Sequence, residues 1–237
     1  MLNNDMNPKA EKLDTSEMQE LDQKTEQKKP DDVGGVHLQG HIKIWNPETG
    51  EIFVNKRNAI HYENMSEAIA YALSHRDARF MYEMHFGNGG TAVDATGVIT
   101  YLQPNTTSQN AALYNPTFAK IIDDTDTVNN PDPDNNKMEI RHVPGNPYSD
   151  ILITCLLDYG EPATQAVFDN STTLNDTFTF DELGIKAKST DGTTGVTSTG
   201  KLLTHVIFHP VQKSLNRLVQ IDYTVRIQTL TNLSTIG

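Results

Sequence analysis

A single cysteine stands among 237 residues, so no intrachain disulfide can form. Cys155 lies in the apolar run Ile151-Leu-Ile-Thr-Cys-Leu-Leu157, where a thiol behaves as a small hydrophobe. Tryptophan also occurs once and aromatics make up only 7% of the chain, too few for a typical sugar-stacking cleft. No run approaches the roughly 20 apolar residues of a membrane span, and the charged first thirty residues hold no apolar stretch of signal-peptide length. The chain thus reads as made in a cytoplasm, with no membrane partner. Positive charge is scarce as well: 19 basic residues face 31 acidic ones, giving a net charge of -12. Such a surface repels phosphate backbones and argues against direct nucleic-acid binding.

Catalytic signatures are missing too. There is no Gly-x-Ser-x-Gly elbow and no Cys/His pattern of a nucleophile with its base. Gly87-Asn-Gly-Gly-Thr91 follows a strand-like run but lacks the Lys-Ser/Thr ending and following helix of a phosphate loop, so it reads as a tight glycine turn. His205 and His209 fall within a β-branched and aromatic run. On a strand they lie about 13 Å apart, too far to share an ion, and His142 would join either only through the fold. The acidic segments Asp123-Asp-Thr-Asp126 and Asp132-Pro-Asp134 lack the glycine and terminal glutamate of an EF-hand loop and read as solvated charge. The sequons at Asn105 and Asn170 read as chance matches. The expectation is a non-enzymatic protein with no metal or other cofactor.

What is present divides in two. Residues 1–35 contain no aromatic and mix 9 acidic with 5 basic residues, which describes an extended or flexible arm. Ser16 and Gln19 could start a helix there, but Met18 and Leu21 make only a thin stripe. Residues 36–237 carry a β pattern. Ile42 and Ile44, the turn Asn46-Pro-Glu-Thr-Gly50, then Ile52 and Val54 spell a hairpin. One helix of about three turns follows, capped by Asn64 with Glu67 three residues on, its face formed by Met65, Ile69, Ala72 and Leu73. Further strands are expected at 81–86, 98–102, 118–122, 137–143, 150–158, 178–186, 201–209 and 218–228, the seventh ended by Pro210. In the last, Val219, Ile221, Tyr223, Val225 and Ile227 alternate with polar residues. The fold class is mainly β, a β-sandwich or jelly-roll-like body with one short helix and an N-terminal arm. The polar loops 103–117, 123–136 and 187–200 are long enough to bind something or to pack on a neighbour. In a free monomer they would be mobile.

The C-terminal third contains Asp181-Glu-Leu-Gly-Ile185, then Leu202-Leu-Thr-His-Val-Ile-Phe-His-Pro-Val-Gln-Lys213, then the alternating strand 218–228. Earlier come Asn58-Ala-Ile-His61, the helix, and a strand ending Phe86-Gly-Asn-Gly-Gly90. This order resembles virion structural proteins of tailed bacteriophages, with His205 at a position usually held by Arg. The resemblance covers residues 41–102 and 178–228. It implies a β-sandwich component of the neck, collar, tail or baseplate, located in the virion, forming a homo-oligomeric ring and touching other virion proteins. It brings no catalytic residues. Glycine in the Glu182-Leu-Gly184 turn answers a close backbone approach or a positive φ. Lys213 and Arg217 are expected to meet acidic surfaces on the next subunit. The alternatives are a capsid decoration or fibre-anchoring protein and, in another class, a carbohydrate-binding β-sandwich.

Overall fold

The computed structural model describes residues 34–76, 79–162 and 177–231. It separates into a body, Val36–Thr229, and a unit of residues 1–35 and 230–237, of which only the ends of two strands are described. Residues 1–33 of the expected arm, including the Ser16–Gln19 helix start, and the Asn170 sequon lie outside the described residues.

The described residues form eleven strands and one α-helix. They are β1 (Gly34–Trp45), β2 (Ile52–Ile60), α1 (Tyr62–Leu73), β3 (Met81–Gly87), β4 (Thr91–Val93), β5 (Ile99–Tyr101), β6 (Pro116–Ile121), β7 (Lys137–His142), β8 (Tyr148–Leu157), β9 (Thr177–Ala187), β10 (Leu202–Ser214) and β11 (Val219–Thr231). Nine of them form one sheet in the order β6-β3-β9-β10-β2-β1-β11-β8-β7, and β4 and β5 make a separate ribbon. The mainly β class holds, and every expected strand is present; only the short β4 was not foreseen.

β2 turns the corner of the sheet. Ile52–Asn58 pair with β1, while Ala59 and Ile60 pair with His205 and Thr204 of β10. One apolar cluster therefore draws on both halves: Ile42, Val54, Cys155 and Tyr223 from one, Phe86, Phe180 and Phe208 from the other. The sheet doubles over a single core, the sandwich-like arrangement read from the alternating pattern. Phe180 sits at its centre, edge-on to Phe86 and Phe208 at centroid distances of 5.5 and 5.7 Å. Cys155 is fully enclosed there, and burial pushes its thiol up to about 12.

Two details differ from the sequence reading. Pro210 does not end its strand, since β10 runs on to Ser214. Phe208, His209 and Pro210 instead form a bulge opposite Asp181, between the pairs Ile207–Glu182 and Val211–Phe180. A bulge needs no ladder donor from proline. Lys56 Nζ donates to the Ile207 carbonyl beside it, at 2.8 Å. On the helix, the cap is His61 rather than Asn64, its Nδ1 accepting from the Asn64 amide at 3.2 Å. The buried side is Asn64, Met65 and Ala68, and Leu73 points outward at 84% exposure. Asn64 is drawn inward because its Nδ2 donates to the Leu202 carbonyl at 2.9 Å, a bond that fixes α1 to β10.

Gly184 lies within β9, not in a turn, paired with His85 on one side and His205 on the other. Its φ is ordinary, so close approach is what requires glycine. A Cβ would stand 2.7 Å from Leu202 Cδ1, 2.8 Å from the Thr204 carbonyl and 2.9 Å from Leu113 Cδ1. Gly184→Ala is expected to cost about 1–3 kcal/mol through overpacking, read as a lower midpoint in urea unfolding with an unchanged slope.

Candidate functional site

The alternation of β9 slips by one residue at the bulge. Phe178 and Phe180 face the core, and then Leu183, Ile185 and Ala187 do. Asp181 and Glu182 consequently both emerge on the side away from the core, although neighbours on a regular strand point to opposite faces. There they meet the glycine loop that follows β3.

That loop does bind an anion with its backbone, and the anion belongs to the chain itself. Asp181 accepts from the Gly90 amide at 2.8 Å, from the Thr91 amide at 2.9 Å and from the Thr91 hydroxyl. Glu182 Oε1 accepts from the amides of Gly89, at 3.1 Å, and Asn115, at 2.8 Å. Its Oε2 accepts from the Tyr114 amide at 2.9 Å and from His205 Nε2 at 3.0 Å. The glycines allow this approach: a Cβ on Gly87 would lie 2.4 Å from Glu182 Oε1 and 2.6 Å from the Asn115 carbonyl.

His205 is fully buried, and both its ring nitrogens are used. Nε2–H faces Glu182, so Nδ1 is the acceptor, and it takes the Asn105 amide at 2.8 Å. This tautomer is assigned from the hydrogen bonds. Three segments thus converge on β9 and β10: the loop after β3, residue 105, and residues 114–115. His61 adds a fourth tie, its Nε2 meeting the Ser108 carbonyl at 2.9 Å.

A second carboxylate–histidine pair lies alongside. Glu83 Oε2 is 3.1 Å from His85 Nε2, and Glu83 Oε1 accepts the Gly195 amide at 2.7 Å. Lys186, paired across from Glu83, donates to the Ser198 carbonyl at 2.6 Å. Together these hold the 188–200 loop, with its 3₁₀ turn Gly195–Thr197, down on β3 and β9. The loop between β6 and β7 is anchored by buried amides instead. Asn130 Nδ2 donates to the carbonyls of Asp123 and Asn136, and Asn136 Oδ1 accepts the Leu156 amide at 3.1 Å. All three long loops, expected to be mobile in a monomer, are fastened to the sheet within one chain.

The electrostatics follow from burial. For Glu182, burial opposes ionisation, but the hydrogen bonds from His205 and the Asn115 and Tyr114 amides outweigh it and hold its carboxyl below the usual range. Glu83 is lowered in the same way by His85 and Gly195 against its own desolvation. Asp181 goes up, since burial and the neighbouring Glu182 charge exceed the help from Thr91 and Gly90. Burial pushes His85 down, and its Nδ1 has no partner among the described residues.

The other expected positions fall elsewhere. His209 shares a face with His205 but stands apart from it, with Tyr101 Oη 3.3 Å from its Nδ1. His142 faces Ser149 on β7 and β8. Among the described residues no three His, Cys, Asp or Glu are grouped as metal ligands. Lys213 is buried at 1% exposure and donates to the Asp158 and Ser214 carbonyls, and burial brings it down to about 8. Arg217 pairs with Glu51 at 2.8 Å and stacks over Phe53. Both charges placed at a subunit contact by the sequence are therefore engaged inside the chain. The Glu83–His85 pair went unrecognised in the sequence; two ionisable residues at i and i+2 of a strand flanked by Tyr82, Met84 and Phe86 were the available signal. Compared with known protein families, curated proteins and solved structures, the chain matches none.

Two outcomes are expected. Glu182→Ala leaves three amides and an imidazole without their acceptor and should lower stability by about 3–5 kcal/mol in denaturant titration. For His85, the unfolded chain takes up a proton below its ordinary value of 6.5 while the folded chain does not. Its contribution is present above pH 6.5 and is lost as the pH falls toward the depressed folded value. A His85→Gln protein should therefore show a shallower loss of melting temperature between about pH 6.5 and 5 than the parent.

Proposed function

We propose that this chain is a structural subunit of a tailed-phage virion, a ring-forming component of the neck, collar or tail. The observation that carries the reading is the fastening of the long loops by buried side chains. Ordering a loop costs roughly 1–2 kcal/mol per residue in backbone entropy, and burying ionisable groups adds to the cost. A chain that meets both costs before any partner arrives presents its loops as fixed surfaces, and a neighbour then binds without ordering them. That suits a subunit whose role is shape. The groups that would attract a catalytic reading, Glu182 with His205, have their hydrogen-bond capacity filled by the chain's own backbone.

The residues that resemble phage virion proteins add support, since they touch one another. Asp181-Glu-Leu-Gly-Ile185, the Gly87–Thr91 loop and His205 form one connected unit. A motif scattered from Gly87 to His205 in sequence thereby acquires one physical reason, the pinning of a loop to a bulged strand. Partners under this reading are further copies of the chain and other virion proteins, located in the particle. The acidic balance of the chain disfavours direct contact with packaged DNA.

The test is a reconstruction by electron cryo-microscopy of the particle in which mass spectrometry finds this protein. Copies arranged in a closed ring at the head–tail junction or along the tail are expected. A protein absent from every particle and monomeric when pure would overturn the reading.

A further inference from the structure

The two faces of the doubled sheet are treated differently. Loops cover the outer side of β3, β9 and β10, while α1 adds Met65 and Ala68 to the core, and the outer side of β2-β1-β11-β8-β7 has no covering segment among the described residues. Its carboxylates are all engaged: Asp150 by Arg226 at 2.7 and 2.9 Å, Asp222 by Trp45 Nε1 at 2.7 Å, and Glu139 by Lys137 at 3.2 Å. Its cations are not all matched. Among the described residues Arg57 has no carboxylate within ion-pair range, Arg141 stands across from Asp150 and acts on its charge without a close pair, and Lys43 rests on the Trp45 ring. Between Arg57 and Arg226 lies a hollow of about 310 Å³, completed by Gln39, Gly40, His41 and Thr224. Arg57 brings an unpaired guanidinium to this depression, beside the Arg226 guanidinium already held by Asp150, the His41 imidazole and the Thr224 hydroxyl, and such a set can receive a carboxylate. A cationic depression is out of keeping with a chain of net charge -12.

The complementary surface is on the same chain but at a different place. From Asp123 to Asp134 there are five aspartates and no lysine or arginine. Asp123 is taken up by Thr125, Asp126 by Tyr82 and Lys188, and Asp132 by Asn135. Asp124 and Asp134 remain without a hydrogen-bonding partner among the described residues, on a loop that Asn130 and Asn136 hold rigid. Resting on the ring reading above, we propose that the Arg57–Arg226 hollow of one copy receives the Asp124–Asp134 loop of the next copy. The contact joins two different surfaces, as a closed ring requires. It is made between the Arg57 guanidinium, which has no ion pair among the described residues, and the unpartnered Asp124 and Asp134 carboxylates, and it weakens with added salt.

The experiment is light scattering of the full chain after size exclusion, at low and at high salt, with unfolding midpoints recorded for each variant. The parent should self-associate at low salt and dissociate at high salt. Arg57→Glu, and separately Asp124→Lys with Asp134→Lys, should each weaken association by about tenfold or more, the scale of a lost cross-interface charge pair. All three changes in one chain should restore it. A parent that associates while Arg57→Glu leaves association intact overturns this contact and spares the ring. Weakening by Arg57→Glu alone, with the lysine variants associating normally, also overturns it, because the acidic occupant then lies elsewhere. A parent that stays monomeric under all conditions overturns this contact, and the ring reading falls with it only where the protein is also absent from every particle.

Discussion

A carboxylate enclosed by protein must be met on every side by donors or it will not remain ionised, and Glu182 is the place where that requirement organises this molecule. Its oxygens take three backbone amides from two separate segments and one imidazole. Removing such an ion from water costs several kcal/mol, so the charge is tolerable only while those segments keep their positions. The loop conformation and the ionisation are therefore one state. Asp181 extends the same arrangement by two further amides, and Glu83 repeats it for the 188–200 loop. The bulge at Phe208–Pro210 is the backbone device behind it, because only a slip in alternation places both acidic neighbours on the same side.

The outcome is a body with two unlike faces. Over β3, β9 and β10 the covering loops are tied down through charged and amide side chains. Over β1, β2 and β11 no described segment covers the sheet, and the Arg57 guanidinium stands there without an ion pair among the described residues. Most ionisable groups in the interior serve to hold backbone, His85 Nδ1 being a buried atom without a partner among the described residues.

Much of this architecture was legible in the residues. Strict alternation in 219–227 and 42–44 fixed those strands, and the Asn46–Gly50 turn named its hairpin, because side-chain period and turn chemistry are local properties. Local signals failed where a distant contact decides. Pro210 suggested an end because the opposite strand, which makes room for a bulge, is some thirty residues away in sequence. Asn64 resembled a cap, but the Leu202 carbonyl draws its side chain away and leaves the task to His61. Leu73 matched the helical period yet is exposed, as the last residue of α1. In the site, the glycine loop, Asp181-Glu182 and His205 were each noticed separately. Nothing in the order of residues states that they touch. Lys213 had the composition of a surface charge, and only the fold shows its ammonium pointing at two carbonyls.

Native-state hydrogen exchange at the amides of Gly89, Gly90, Thr91, Tyr114 and Asn115 tests the central claim most directly. These lie in loop or loop-edge positions, where exchange is ordinarily fast. If buried carboxylates bind them as described, they exchange only with global unfolding, at the same free energy as the amides of β9. Exchange of these five through local opening, well before β9, would contradict the account.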